Sequence, residues 1–216
     1  MVKIMTLKET IESRKIIAIV RGLDGEILEK TADALYEGGI RLMEITFDQT
    51  GKIPDEKTAS NIRTLSNTFR GRMHIGAGTV MSAGQVMLAA DAGAEYMISP
   101  DVSEEVIRKT KELGLVSIPG ALTPTEIVTA YRYGADYVKL FPAGDLGLSY
   151  VKSVKAPLAH IPMMAVGGVN TANLRDFLNA GLAGVGISSG IVNKELIRNR
   201  DFAGLAKLAK EFTEQI

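Results

Sequence analysis

Short β-branched runs alternate along this chain with longer amphipathic stretches, and a glycine usually separates one such stretch from the next run. Brief apolar runs bounded by turn residues predict strands; the longer stretches, with apolar positions three and four apart, predict helices. Eight strands are predicted, over 16–21, 41–47, 73–79, 96–100, 115–119, 137–141, 162–166 and 184–188. Their starts lie 19 to 32 residues apart, the size of one βα unit. Helices are expected to stop at Gly38, Gly93, Gly114, Gly134 and Gly181, because glycine tolerates the left-handed conformation just past a helix end. Thr123-Pro124-Thr125-Glu126 reads as a helix start: Thr123 caps, Pro124 suits the first helical position, and Glu126 completes a capping box. Thr6-Leu7-Lys8-Glu9 opens an additional helix ahead of the first strand, and 205–212 reads as the closing helix. Eight βα units in 216 residues predict a (β/α)8 barrel with an extra N-terminal helix, a single domain over 1–216. A doubly wound open sheet is the alternative.

Composition narrows the chemistry. The net charge is zero and no charge block stands out, so neither a nucleic-acid partner nor a charged tail is expected. The chain has no cysteine, which removes disulfides, thiolate metal sites and a cysteine nucleophile. Its two histidines, His74 and His160, lack the spacing of a metal pair, which leaves only an all-carboxylate site open. The apolar run at 16–20 is too short for a signal segment or a membrane span. A soluble, cytoplasmic protein with no membrane partner is the expectation. Gly76-Ala77-Gly78 hints at a dinucleotide fingerprint, but Met81 stands where the third glycine would be.

One position conflicts with the strand pattern. Lys139 sits inside Tyr137-Val138-Lys139-Leu140-Phe141, a run apolar enough for a strand covered on both faces. A buried ammonium is driven toward neutrality, and a neutral lysine is a nucleophile that forms Schiff bases with carbonyls. The plainer reading is a lysine at a strand end, snorkelling its charge to water. Strand alternation adds company. With Met43 and Ile45 against helices, Glu44 faces the barrel interior, and Arg21 ends the first strand on the face of Ile17 and Ile19. A glutamate, a lysine and an arginine thus converge on one barrel mouth, where such barrels carry their sites. The plainer readings are a buried structural salt bridge for Glu44 and an ordinary surface position for Arg21. Later in the chain, Val166-Gly167-Gly168-Val169-Asn170 and Gly186-Ile187-Ser188-Ser189-Gly190 each end a strand and are expected to open a helix. Paired glycine loops in the last two units suit a phosphate held by backbone N–H groups, with glycine for tight turns alone as the alternative.

These segments resemble the 2-keto-3-deoxy-6-phosphogluconate (KDPG) aldolase family, which includes 4-hydroxy-2-oxoglutarate (KHG) aldolases and 6-phosphogalactonate homologues. The resemblance rests on seven motifs in the family's order: Ile19-Val20-Arg21-Gly22, Met43-Glu44-Ile45-Thr46-Phe47, Ile75-Gly76-Ala77-Gly78-Thr79-Val80, Ile98-Ser99-Pro100, Ile118-Pro119-Gly120, Val138-Lys139-Leu140-Phe141-Pro142-Ala143 and Val166-Gly167-Gly168-Val169. It implies a homotrimeric class I aldolase that needs no metal or organic cofactor. Such an enzyme cleaves a phosphorylated 2-keto-3-deoxy sugar acid to pyruvate and glyceraldehyde 3-phosphate. Some members also split 4-hydroxy-2-oxoglutarate to pyruvate and glyoxylate.

By resemblance, Lys139 is the Schiff-base lysine and Glu44 the general acid/base. Arg21 and Thr79 surround the pyruvyl carboxylate, and Pro119 and Phe141 are pocket walls. Gly167, Gly168 and Ser189 form the phosphate site. Two departures stand out. Some members carry an arginine after the second strand, where this chain has Thr46-Phe47-Asp48-Gln49-Thr50, at the head of a polar loop over 48–60. Many KDPG members have threonine where Val166 stands, and here the chain looks more like the 6-phosphogalactonate homologues, which makes the galactonate epimer the alternative substrate. Two other readings would dispense with an imine: a sugar-phosphate epimerase, and a phosphosugar-binding barrel without activity.

Overall fold

A computed structural model describes residues 5–216. In chain order the elements are α1 (Leu7–Arg14), β1 (Ile16–Val20), α2 (Gly25–Glu37), β2 (Leu42–Thr46), α3 (Asp55–Thr68), β3 (His74–Gly78), α4 (Ala83–Asp91), β4 (Tyr96–Ile98), α5 (Glu104–Glu112) and β5 (Val116–Ile118). Then follow β6 (Gly120–Ala121), α6 (Pro124–Arg132), β7 (Val138–Leu140), α7 (Ala143–Lys155), β8 (Met163–Val166), α8 (Leu174–Asn179), β9 (Gly184–Ile187), α9 (Lys194–Arg198) and α10 (Phe202–Thr213). All strand pairs are parallel, in the order β5-β4-β3-β2-β1-β9-β8-β7-β6. The two end strands are chain neighbours, so the ring is completed through the backbone at Pro119. This is the expected barrel, with α1 as its extra helix and not a doubly wound open sheet.

The fifth predicted strand, 115–119, is the one that differs. It is two pieces, β5 and β6, with Pro119 between them. Proline has no N–H to give a ladder. Its carbonyl still accepts from the Lys139 N–H at 2.8 Å, so β5 pairs with β4 on one side and β6 with β7 on the other.

Local chemistry accounts for the helix ends. Thr6 and Glu9 form a full capping box at α1, as do Thr123 and Glu126 at α6. Of the five predicted stop glycines, Gly38 departs from expectation. Its φ is −73°, and the left-handed residue is Gly39 at 95°. Gly38 is small for packing instead: a Cβ there would stand 2.4 Å from the Cβ of Ala209 in α10.

Strand alternation sorts the core into two clusters. Outside the barrel, Met43, Ile45, Val138 and Leu140 pack with Leu28, Leu35, Ile62 and Leu65 of the helices. Inside it, Ile17, Leu42, Tyr96, Ile98, Ile118, Tyr137 and Met164 pack together. Ile11 of α1 joins that inner cluster with no exposed surface, which plugs the N-terminal mouth. Burying one such side chain stabilises by about 1.5–3 kcal/mol. The C-terminal mouth has no such plug, and the interior opens there.

Candidate active site

At the C-terminal ends of the strands lies a cavity of about 490 Å³. Arg21, Glu44, Thr79, Lys139, Phe141, Gly167, Gly168 and Ser189 all line it. Pro119, the ninth residue singled out from the sequence, is not among the lining residues. It is buried behind Lys139, whose N–H its carbonyl holds. The lining also includes Val166 and Asn170 of the first glycine loop, and Ile19 and Pro100, which had been given no role of their own.

The barrel register explains how the two ionisable groups get there. Glu44 lies opposite Ile19 of β1 and Gly76 of β3, and Lys139 opposite Gly120 of β6 and Met164 of β8. Glycines on β3 make room for what points inward. A Cβ on Gly78 would come within 2.2 Å of the Glu44 Oε1, and one on Gly76 within 2.3 Å of the Tyr96 ring. The Gly76-Ala77-Gly78 run is thus a clearance for a carboxylate and a ring.

Glu44 is 2% exposed and Lys139 8%. Burial pushes the Glu44 carboxyl up to about 7, against the opposing pull of Lys139 and then Arg21. Burial likewise lowers the Lys139 ammonium; Glu44 opposes that shift and Arg21 adds to it. Among the described residues the two form no ion pair, and Glu44 Oε2 has no hydrogen-bond partner. The structural salt bridge expected as the plainer role for Glu44 is therefore not formed. A buried acceptor without a protein partner is a place where water or ligand bonds. The Lys139 Nζ lies 4.7 Å from the centre of the Phe141 ring, which is 40% exposed at the rim.

Arg21 is exposed at the mouth and donates to Thr79 Oγ1 at 3.4 Å. Thr79 has a φ of 54°, a conformation uncommon for threonine. Gln49 holds it there by donating from Nε2 to the Thr79 carbonyl at 2.9 Å. Asp48 turns inward on its own loop and accepts from the N–H groups of Thr50, Lys52 and Ile53. The loop is shorter than its composition suggested, since α3 begins at Asp55. Pro54 followed by the acidic pair Asp55-Glu56 was the available signal for that helix start.

The two glycine loops come together on the far side of the cavity. They do not open directly into helices, as expected; turns intervene before α8 and α9, both short. Gly167 and Gly168 have φ of 85° and 72° and dock on Gly144, which donates its N–H to the Gly167 carbonyl at 2.8 Å. Among the described residues, the N–H groups of Gly168, Val169, Ser189 and Gly190 donate to no protein acceptor. Free N–H groups on facing loops make a cradle for an anion. No group of three histidine or acidic side chains among the described residues could hold a metal ion. No helix among them is long and apolar enough to cross a membrane.

Known proteins resemble nearly the whole chain. A "probable 2-dehydro-3-deoxy-6-phosphogalactonate aldolase" of Rhizobium meliloti is 36% identical over 198 residues, 89% of this chain and 91% of that protein. A 2-dehydro-3-deoxy-phosphogluconate aldolase of Haemophilus influenzae is 29% identical over 96% of this chain and 95% of its own length. Among solved structures, the KDPG aldolase of Legionella pneumophila, with pyruvate captured as a covalent carbinolamine, superposes with a TM-score of 0.84. It is 27% identical, with 95% of this chain and 97% of that one covered. The family model described as KDPG and KHG aldolase matches residues 7–208. With both the sequence match and the barrel extending from the first helix to the last, the chain belongs to the KDPG and KHG aldolase family of lyases.

Proposed function

We propose that this aldolase works through an imine on Lys139, and that it cleaves a 2-keto-3-deoxy-6-phospho sugar acid to pyruvate and glyceraldehyde 3-phosphate. The observation that carries the reading is the buried Lys139, free of any ion pair, in one cavity with a glutamate raised to about 7. At neutral pH such a glutamate can both give and take a proton. Neutral Lys139 adds to the C2 ketone, and Glu44, through a bridging water, protonates the departing hydroxyl. The iminium draws the C3–C4 bonding electrons as the C4 hydroxyl loses its proton and the aldehyde leaves. The enamine is then protonated at C3, and water releases pyruvate. Arg21 and Thr79 hold the carboxylate, Phe141 walls the pocket, and the Gly167–Gly168 and Ser189 loops take the phosphate. Pro119 acts one step back, by holding the Lys139 backbone.

KDPG, the gluconate epimer, is the first substrate we assign, with 4-hydroxy-2-oxoglutarate as an unphosphorylated second. The galactonate epimer is favoured by one observation: Val166 lines the cavity and offers no hydroxyl where many KDPG members carry threonine. Both epimers give the same products, so separate kcat/KM values for each decide the preference. We also propose a cytoplasmic homotrimer, as the family resemblance suggests.

Borohydride added in the presence of pyruvate tests the chemistry. The expected result is a pyruvyl mass added to the peptide containing Lys139, together with loss of activity. An unmodified Lys139 in inactivated enzyme would remove the imine from the mechanism.

A further inference from the structure

A second cavity, about 500 Å³ and as roomy as the first, lies at the opposite, N-terminal end of the barrel, beside the α1 plug. Its lining brings four arginines together. Arg14 ends α1, Arg41 precedes β2, and Arg70 and Arg72 flank Gly71 in the turn between α3 and β3. The one acidic lining residue is Glu95, whose carboxylate is engaged by His74 at 2.7 Å. Among the described residues, none of the four guanidinium groups is in an ion pair.

Packing accounts for only two of them. Arg41 stacks 4.0 Å from the centre of the Tyr36 ring and donates to the carbonyls of Tyr36 and Ile40 at 2.8 and 2.7 Å. Arg72 lies against Tyr36 and Phe69 and donates to the Thr68 carbonyl at 2.6 Å. Among the described residues, Arg70 makes a single side-chain bond, to Asn67 Oδ1 at 3.1 Å, and Arg14 makes none. Each guanidinium has five donors, so most of this capacity is unused. Gathering like charges in a concave site is unfavourable unless an anion joins them. Arg41 registers the cost: burial, opposed by Tyr36, and then the Arg14 charge pull its pKa below the usual value, with Glu37 opposing.

We propose that this cavity beside α1 binds a small phosphate-bearing metabolite, at a site separate from the catalytic cavity. The volume falls in the range of small-ligand sites. Guanidinium forks match phosphate oxygens closely. The four side chains come from three separate segments, and a tetrahedral phosphate can meet donors from several directions, whereas a planar carboxylate meets them in one plane. A nucleic-acid partner is disfavoured because the charge is confined to a cavity on a chain of zero net charge. The proposal does not depend on the aldolase mechanism.

Inorganic pyrophosphate is the probe, titrated calorimetrically into the whole protein at low ionic strength. Arg14→Glu/Arg70→Glu is the test variant, because both side chains are exposed and neither is needed for packing. Lys152→Glu/Lys207→Glu, exposed and outside the cavity lining, controls for the change in net charge. The expected result is at least a tenfold loss of pyrophosphate affinity in the arginine variant, little change in the lysine control, and unaltered aldolase kinetics in both. Three results would overturn the proposal: no binding to the unmodified protein, equal losses in both variants, or binding that survives in the arginine variant and disappears in Ser189→Asp. A changed oligomeric mass in the arginine variant, with no effect on pyrophosphate, would also overturn it by assigning the arginines to a subunit contact.

Discussion

At the scale of single residues, the site depends on two groups that burial pushes toward neutrality, Glu44 upward in pKa and Lys139 downward. Glu44 makes the sharper case because its carboxyl is raised from the usual 4.5 to about 7. Between those values the unfolded chain has released a proton that the folded chain keeps. Stability therefore falls as pH rises through that window. Glu44→Gln removes this dependence. The stability difference between variant and parent should shift in the variant's favour by roughly 2–3 kcal/mol from pH 5 to pH 8. Thermal melts at the two pH values measure it. The same variant should still bind pyruvate yet lose turnover by ~10²–10⁴-fold. Normal turnover with melts parallel to the parent's at both pH values would mean that Glu44 neither moves protons nor sits in a charge-excluding site. At the mouth, Arg21→Lys should weaken pyruvate binding, since lysine lacks the fork that grips a carboxylate. Unchanged affinity would move the carboxylate to Thr79 and nearby N–H groups.

At the scale of elements, the anion cradle is set by how closely three backbone segments approach. The loop after β8 rests on the start of α7 at Gly144, where a Cβ would stand 2.7 Å from Gly168 Cα and 2.9 Å from the Gly167 carbonyl. Those neighbours are backbone and cannot swing aside. Gly144→Ala should therefore displace the glycine loop at a cost of about 1–3 kcal/mol, typical of overpacking. KM for the phosphorylated substrate should rise, with much less change for unphosphorylated 4-hydroxy-2-oxoglutarate. Kinetics on both substrates distinguish this from general damage, which would affect them equally.

At the scale of the whole molecule, the barrel has two mouths with different fates. α1 closes one around Ile11, and the other remains open over the buried ionisable pair. Large apolar side chains remain on the outer surface, Met81 just before α4 and Met87 in its middle among them, at 44% and 49% exposed. Sedimentation should find a particle of three times the 23.2 kDa chain mass. A monomer at micromolar concentration would rule out the trimer.

The sequence alone determined the βα rhythm, the inward face of the strands that carry Arg21, Glu44 and Lys139, and the identity of Lys139 and Glu44 as residues out of keeping with their surroundings. Those features are local: alternation, capping and glycine punctuation act within a few residues. The break at Pro119 was open to the same reading but was outweighed by the apolar run around it. What only the tertiary structure decided depends on distance across the fold. It showed that Glu44 and Lys139 share a cavity without pairing, that Gly78 and Gly144 are spaces for remote neighbours, and that Gln49 fastens Thr79. It also placed four arginines from three separate segments around one cavity. None of these follows from spacing along the chain, because each is set by how the strands register and the loops pack once the barrel has closed.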